Sequence, residues 1–226
     1  MPAIKSTVLA GLKDTVPFSL GVFAYGTVYG ILSRAGHLTL AQTLSMSVLV
    51  FAGASQFVAL ALFKQGATGL AVVLATFFVN LRQVLYGLSL GPHLKGSGRG
   101  KLALLAYGLT DESYGVTMVA FAGGRGSPGY FLGAGLGVFG PWLAASLTGF
   151  FLAAFLRDPL RWGLDFAFIG AFMGLLVSQI NSRLLVGVAV ASSLVAVGAW
   201  FFLGSGWSVA AGALTACLLG VVSGEA

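Results

Sequence analysis

Long apolar runs separated by short polar connections are the feature that most constrains this chain. Eight runs approach the length of a membrane span, because a helix rises about 1.5 Å per residue and must cross about 30 Å of hydrocarbon. They are residues 16–33, 42–62, 68–90, 102–122, 130–156, 164–180, 184–203 and 207–223. Only 8% of residues are charged, against about 25% in a typical soluble domain. The sequence therefore predicts an all-α, polytopic transmembrane helical bundle with about seven to eight spans.

The connections between these runs leave no room for a soluble domain, so we expect one integral membrane domain over residues 1–226. Two short sequence echoes recur at nearly the same offset: GVF at 21–23 and 137–139, and FAGA at 51–54 with FIGA at 168–171. They suggest two structural repeats, residues 1–120 and 121–226. Repeats of this kind, together with broken helices, are typical of secondary transporters.

Basic residues near the ends of the runs set the expected orientation, because cytoplasmic loops are enriched in Lys and Arg. The loop that contains Lys95, Arg99 and Lys101 is the most basic and is expected to be cytoplasmic. If every run crossed the membrane, Lys5 and Lys13 would lie on the opposite side, against this rule. One solution is that a segment between the two basic regions does not cross completely, as with the broken helices common in transporters.

Two adjacent carboxylates, Asp111 and Glu112, lie near the middle of the apolar run LLAYGLTDESYGVTMVAFAG. A charge at that depth costs about 2.5–3.5 kcal/mol on insertion scales, and such residues usually face the bundle interior and mark a pathway or a proton relay. Adjacent helical residues point about 100° apart, so the two side chains are expected on different faces. One is expected to carry a coupling proton or to hold a substrate ammonium group. The alternative is a structural acid paired with an arginine.

Arg82, in the run NLRQVLYG, is the expected cationic partner of Asp111 or Glu112, or of a substrate carboxylate. An isolated buried charge is costly, so a partner is nearly obligatory. Tyr86 follows at i+4 on the same helical face, and Asn80 adds a polar group one half-turn earlier. We therefore include Asn80, Arg82 and Tyr86 among the candidate site residues.

A third candidate segment, VFAGASQFVAL, places Gly53 and Ser55 among small residues just before Gln56. Glycine permits a kink or an unwound turn. The backbone groups freed by a broken span can hold the charged ends of a zwitterion. Close helix packing, with Gln56 in an interhelical hydrogen bond, is the alternative.

The sequence gives no reason to expect an enzyme, a metal site or a cofactor. His37 and His93 lie near span ends with no acid or cysteine clustered beside them, and Cys217 is the single cysteine. No arrangement of nucleophile, base and orienting residue is visible. The net charge of +6 does not indicate a nucleic-acid partner, because the basic residues are scattered at segment ends, where they meet lipid headgroups.

Three stretches resemble the AzlC-type branched-chain amino acid permeases: VFAGASQF near the second run, NLRQVLYGLSLGPHL closing the third, and LTDESYGV in the fourth. The resemblance covers most of the chain by the length and order of its spans and is specific over residues 17–115. It implies the large subunit of a two-component permease that exports leucine, isoleucine and valine, and in some members methionine, across the bacterial inner membrane. It also implies a small membrane protein of AzlD type as partner.

The residues and the resemblance together predict a multi-pass secondary transporter that exports apolar amino acids, driven by the proton gradient. The candidate substrate-binding or coupling residues are Asp111, Glu112, Arg82, Gln56, Ser55, Gly53, Asn80 and Tyr86. Two other functions stay open at this point. A channel or facilitator for another small solute would need no proton coupling, and a structural or sensory membrane subunit would use its buried charges for assembly alone.

Overall fold

The computed structural model describes residues 4–156 and 182–223, together with residues 163, 166, 170, 173, 177 and 180 between them. These residues are helical or lie in turns, with no strand among them, which confirms the all-α prediction for this part of the chain. The expected span 164–180 lies mostly outside the described residues. The helices are α1 Ile4–Asp14, α2 Val16–Ala35, α3 Leu40–Ser45, α4 Gly53–Lys64, α5 Gly69–Leu90, α6 Arg99–Tyr107, α7 Asp111–Ala122, α8 Pro128–Leu152, α9 Arg183–Leu203 and α10 Ser205–Ser223.

Four helical stretches among the described residues are long and apolar enough to cross a membrane. They are Val16–Ala35, Gly69–Leu94, Pro128–Leu152 and Arg183–Phe202, the second of which includes the short 3-10 turn Gly91–Leu94 after α5. The expected spans 42–62 and 102–122 are each divided into two short helices, so neither forms one continuous transmembrane helix.

The chain divides into two compact units, one of Met1–Gly53 with Leu81–Arg157 and one of Ala54–Asn80 with Asp158–Ala226. In the first unit, α1 and α2 lie along α8 over most of its length. Glycines allow this approach, because a methyl group at Gly11 would lie 2.0 Å from the carbonyl oxygen of Tyr130, and one at Gly30 would lie 2.2 Å from that of Ser146. The contacts advance along both helices together, so α2 and α8 run parallel.

Helices α6 and α7 form a hairpin, so α6 begins and α7 ends at the same end of the first unit. The second half of α5 runs parallel to α7, as the contacting pairs show: Arg82 with Asp111, Ser89 with Tyr114, and His93 with Phe121. Helices α6 and α7, of 9 and 12 residues, are each too short to cross about 30 Å of hydrocarbon. The turn between them packs on the first half of α8, where the Cβ of an alanine at Gly135 would lie 3.0 Å from the carbonyl oxygen of Gly108.

The other divided span breaks at Phe51. The helix that starts at Leu40 continues as a π-helical turn over Met46–Val50, and Phe51 then adopts a left-handed conformation with φ 43° and ψ 43°. Its ring is buried and lies 5.0 Å edge-on from Phe139 and 5.7 Å from Tyr107, between ring centroids. Aromatic packing therefore holds a conformation that a bulky residue rarely adopts. The Tyr107 hydroxyl also donates to the carbonyl oxygen of Val48, so the two breaks lie side by side.

The helix directions bring several basic residues of the first unit to one end of it. Helix α8 runs parallel to α2 and antiparallel to α7, and α7 runs parallel to α5. Hence α2 and the second half of α5, both in the first unit, are antiparallel. The residues Lys13, Lys95, Arg99 and Arg125 then share the side on which α2 and α8 begin, which we call the basic side.

In the second unit, α9 and α10 pack against one another along their lengths. A methyl group at Gly212 would lie 3.0 Å from the Cβ of Ala196, so a small residue keeps these two helices close. The same unit contains α4 and the first half of α5, which are joined by a short loop and linked by a hydrogen bond between Ser55 and Asn80.

Candidate functional site

The two acidic residues of the α6–α7 hairpin lie at its half-buried tip, in the first turn of α7. Thr110 caps this helix: its hydroxyl accepts from the backbone N–H of Ser113 at 3.2 Å, and the Ser113 hydroxyl accepts from the backbone N–H of Thr110 at 2.8 Å. This reciprocal capping box satisfies two of the amide groups that a helix start leaves unpaired. The helix N-terminus carries a partial positive charge that favours Asp111 and Glu112 in its first turn. The sequence therefore places its two adjacent carboxylates at a helix start, and not in the middle of a continuous helix.

Each carboxylate oxygen of Asp111 contacts a side chain of α5. Its Oδ2 lies 3.0 Å from Nη1 of Arg82, and its Oδ1 accepts a hydrogen bond of 2.8 Å from the hydroxyl of Tyr86. The predicted i+4 relation is what allows Arg82 and Tyr86 to reach one carboxylate. Tyr86 also stacks on Tyr114 with 4.2 Å between ring centroids, and the Tyr114 hydroxyl donates to Ser89 at 3.1 Å. The predicted ion pair of Arg82 is therefore made with Asp111, within a network that joins α5 to α7.

Glu112 differs from its neighbour, since it forms no ion pair among the described residues. It is half-buried, and it lies within electrostatic reach of Asp111 and Arg82. One arginine and two carboxylates leave the cluster with a net charge of −1 when Glu112 is ionised and with no net charge when Glu112 is protonated. Glu112 is thus the carboxylate of the cluster that no described cation pairs with.

Two aromatic residues that the sequence reading did not select extend the site. Tyr25 of α2 lies within electrostatic reach of Arg82, Asp111 and Glu112. The ring of Tyr25 also lies 6.0 Å from that of Trp142 on α8, between centroids. Each of these side chains comes from near the midpoint of its helix or from the hairpin tip. The polar cluster therefore has an aromatic wall.

Trp142 lies beside a local irregularity of α8. Pro141 has no N–H, so it leaves the carbonyl oxygen of Gly137 without its helical partner. The hydroxyl of Ser19 on α2 donates to that oxygen at 3.4 Å. A Trp that follows Pro in the middle of an apolar run is a signal in the sequence, because interfacial Trp residues occur near span ends.

The indole ring of Trp142 is held between helices. It stacks on Tyr29 with 5.6 Å between centroids, and a methyl group at Gly53 would lie 2.9 Å from its Cη2 atom. The predicted site residue Gly53 therefore faces an aromatic ring at the start of α4, where only a residue without a side chain leaves this space open.

The remaining predicted residues belong to the second unit. Ser55 donates a hydrogen bond of 2.7 Å to Oδ1 of Asn80, so two residues that the sequence analysis placed in separate segments contact each other. Gln56 is fully buried. The predicted site thus consists of two described groups: Gly53, Arg82, Tyr86, Asp111 and Glu112 in the first unit, and Ser55, Gln56 and Asn80 in the second.

A metal centre finds no support in this part of the chain. Among the residues that the structure describes, no three His, Cys, Asp or Glu side chains come together in a way that could hold a metal ion. The polar cluster instead combines one guanidinium, two carboxylates and several hydroxyl groups, which are groups that can bind a zwitterion or carry a proton.

A family model described as AzlC protein matches residues 17–156, a segment that contains the whole polar cluster. The chain belongs to the AzlC family. Its curated relatives include "Branched-chain amino acid transport protein AzlC" of Bacillus subtilis, 25% identical over 77% of this chain and 70% of the relative. "Inner membrane protein YgaZ" of Escherichia coli is 26% identical over 85% of this chain and 82% of the relative.

A third relative, an "Uncharacterized membrane protein" of Helicobacter pylori, is 28% identical over 76% of each chain. No solved structure matches this chain. The family membership confirms the resemblance drawn from the sequence motifs. The chain is thus a homologue of a branched-chain amino acid transport protein and of bacterial membrane proteins.

Proposed function

We propose that this protein exports leucine, isoleucine and valine across a bacterial inner membrane in exchange for protons, and that it is not an enzyme. The observation that carries the proposal is the Arg82–Asp111–Glu112 cluster, because its charge changes with one proton and it lies at the tip of a helix hairpin. Family membership and the relative named as a branched-chain amino acid transport protein support the substrate class.

Glu112 serves in this proposal as the exchange site. An unpaired carboxylate is costly inside a membrane, so the cluster changes its exposure from one side to the other only when Glu112 has bound a partner. Either a proton or the ammonium group of an amino acid can occupy this carboxylate, but not both at once. That exclusion couples the two movements: protons move down their gradient in one direction, and the amino acid moves in the other.

Asp111 and Arg82 serve as a fixed pair. Arg82 cancels the charge of Asp111, and Tyr86 fixes the remaining carboxylate oxygen, so the pair holds the hairpin tip against α5 without contributing net charge. The apolar residues that line the membrane interior would enclose the aliphatic side chain of the substrate. One methylene changes binding by only about 1–3 kcal/mol, so leucine, isoleucine, valine and methionine are expected to compete for one site.

A small AzlD-type membrane protein is the proposed partner of the chain in this two-component permease. The inner membrane location follows the relative named as an inner membrane protein and the four apolar stretches long enough to span. The basic side of the bundle is proposed to face the cytoplasm, as cytoplasmic loops are enriched in Lys and Arg.

The test is efflux of labelled leucine from proteoliposomes, with the chain alone and with its small partner. We expect external acid to accelerate efflux, because incoming protons displace leucine from the exchange site. Leucine efflux that is independent of the pH gradient would contradict proton coupling and favour a facilitator. No flux of any branched-chain amino acid, from folded protein with the partner present, would contradict the substrate assignment.

A further inference from the structure

We propose that the indole N–H of Trp142 donates a hydrogen bond to the carboxylate of the transported amino acid. This inference rests on the proposed function and adds the group that recognises the acidic end of the substrate. Trp142 is 5% exposed, and its Nε1 has no hydrogen-bond partner within residues 4–156 and 182–223. A buried indole N–H normally has a partner, since leaving such a donor unsatisfied is costly.

The surroundings of the ring fix it in place without using its N–H group. Tyr29 stacks on one face at 5.6 Å between centroids, and Tyr25 approaches at 6.0 Å. Gly53 contributes no side chain to the contact, and a methyl group there would lie 2.9 Å from Cη2 of the ring. The ring is therefore held rigidly by packing, and its donor is left for another molecule.

The charge distribution of the cluster explains why a neutral donor suits the substrate carboxylate. The guanidinium of Arg82 is already paired with Asp111 at 3.0 Å. A second anion next to Glu112 would be repelled, whereas the ammonium group of the same amino acid is attracted. Tyr25 lies beside Trp142 and within electrostatic reach of Glu112, so it joins the two ends of the site. The amino acid would thus place its ammonium group towards Glu112 and its carboxylate towards Trp142.

The test compares leucine with leucinol, which has the ammonium group and the aliphatic side chain but no carboxylate. The variant is Trp142→Phe, which keeps an aromatic ring and removes the N–H group. We expect the KM for leucine to rise about tenfold, as for the loss of one hydrogen bond to a charged group. The maximal rate should change much less, and inhibition by leucinol should stay unchanged. Trp200→Phe, at an exposed position of α9, is the matched control.

Two results would overturn the inference while leaving leucine transport intact: a Trp142→Phe protein with an unchanged KM for leucine, or one that loses leucine and leucinol binding equally. If the wild-type protein neither binds nor transports leucine, the proposed function itself fails.

A second measurement does not depend on the folding of Trp142→Phe. With the other tryptophans, Trp162, Trp200 and Trp207, replaced by Phe, the emission of Trp142 should shift on addition of leucine and not of leucinol. An equal response to both, or to neither, would contradict the inference.

Discussion

The ion pair between Arg82 and Asp111 gives a prediction whose size follows from its geometry. At an effective dielectric constant of about 20, two unit charges at the observed 3.0 Å attract by about 5 kcal/mol. Both side chains are 30% exposed, so water screens part of this attraction. Arg82→Gln and Asp111→Asn should each lower the free energy of unfolding by about 3 kcal/mol, because each leaves one buried charge unpaired.

The double variant Arg82→Gln/Asp111→Asn separates the pair from its surroundings. It leaves neither charge. Its loss of unfolding free energy should therefore be smaller than the sum of the losses in the two single variants by about 2 kcal/mol or more. Tyr86→Phe removes one hydrogen bond from Asp111 and should cost about 1.5–3 kcal/mol. The measurement is reversible unfolding of all four variants and the wild type in mixed detergent micelles.

Additive single losses, within about 0.5 kcal/mol, would refute this reasoning, because independent residues add and paired residues do not. Glu112→Gln is the matched control, since it makes the same chemical change one residue away from Asp111. Glu112 has no ion pair in the described part of the chain, so its variant should unfold close to the wild type. If Glu112→Gln lowers the free energy of unfolding as much as Asp111→Asn does, the result would contradict the different roles given to the two acids.

Two further predictions concern the architecture. Gly133→Ala should cost about 1–3 kcal/mol of unfolding free energy, because its methyl group would lie 1.9 Å from a carbonyl oxygen of α1, whereas Gly140→Ala, with open space around it, should be tolerated. In a cysteine-free background, cysteines at Lys101 and Arg125 should react with a membrane-impermeant maleimide from the same side. Labelling of Lys101→Cys and Arg125→Cys from opposite sides would contradict the hairpin.

Sequence reasoning located the polar centre because charge is rare in this chain. A buried Arg requires a partner, so cost alone predicted that Arg82 pairs with Asp111, with Glu112 or with a substrate carboxylate. Helical periodicity placed Tyr86 on the same face. The choice of Asp111 over Glu112 needed the structure, since it depends on how the first turn of α7 points towards α5.

The hairpin could not be derived from hydropathy. Residues 102–122 are apolar over the length of a span. Their mean hydropathy is the same whether the chain crosses the membrane or reverses direction inside it. The available signal was local: Gly108 and the capping pair Thr110 and Ser113 mark the end of one helix and the start of another. At the other break, the conformational freedom of glycine predicted a kink at Gly53. The left-handed residue is instead Phe51, because two aromatic rings hold it in this conformation. The two sequence repeats stay a prediction.

Leucine efflux from proteoliposomes that contain Glu112→Gln, with and without a pH gradient, is the most direct measurement of the proposed exchange. A permanently neutral residue at this position offers no carboxylate that a proton and an ammonium group can occupy in turn. The variant should therefore fold, and whatever leucine flux it retains should be independent of the gradient. If external acid accelerates leucine efflux from Glu112→Gln as it does from the wild type, Glu112 is not the site at which protons exchange for the amino acid.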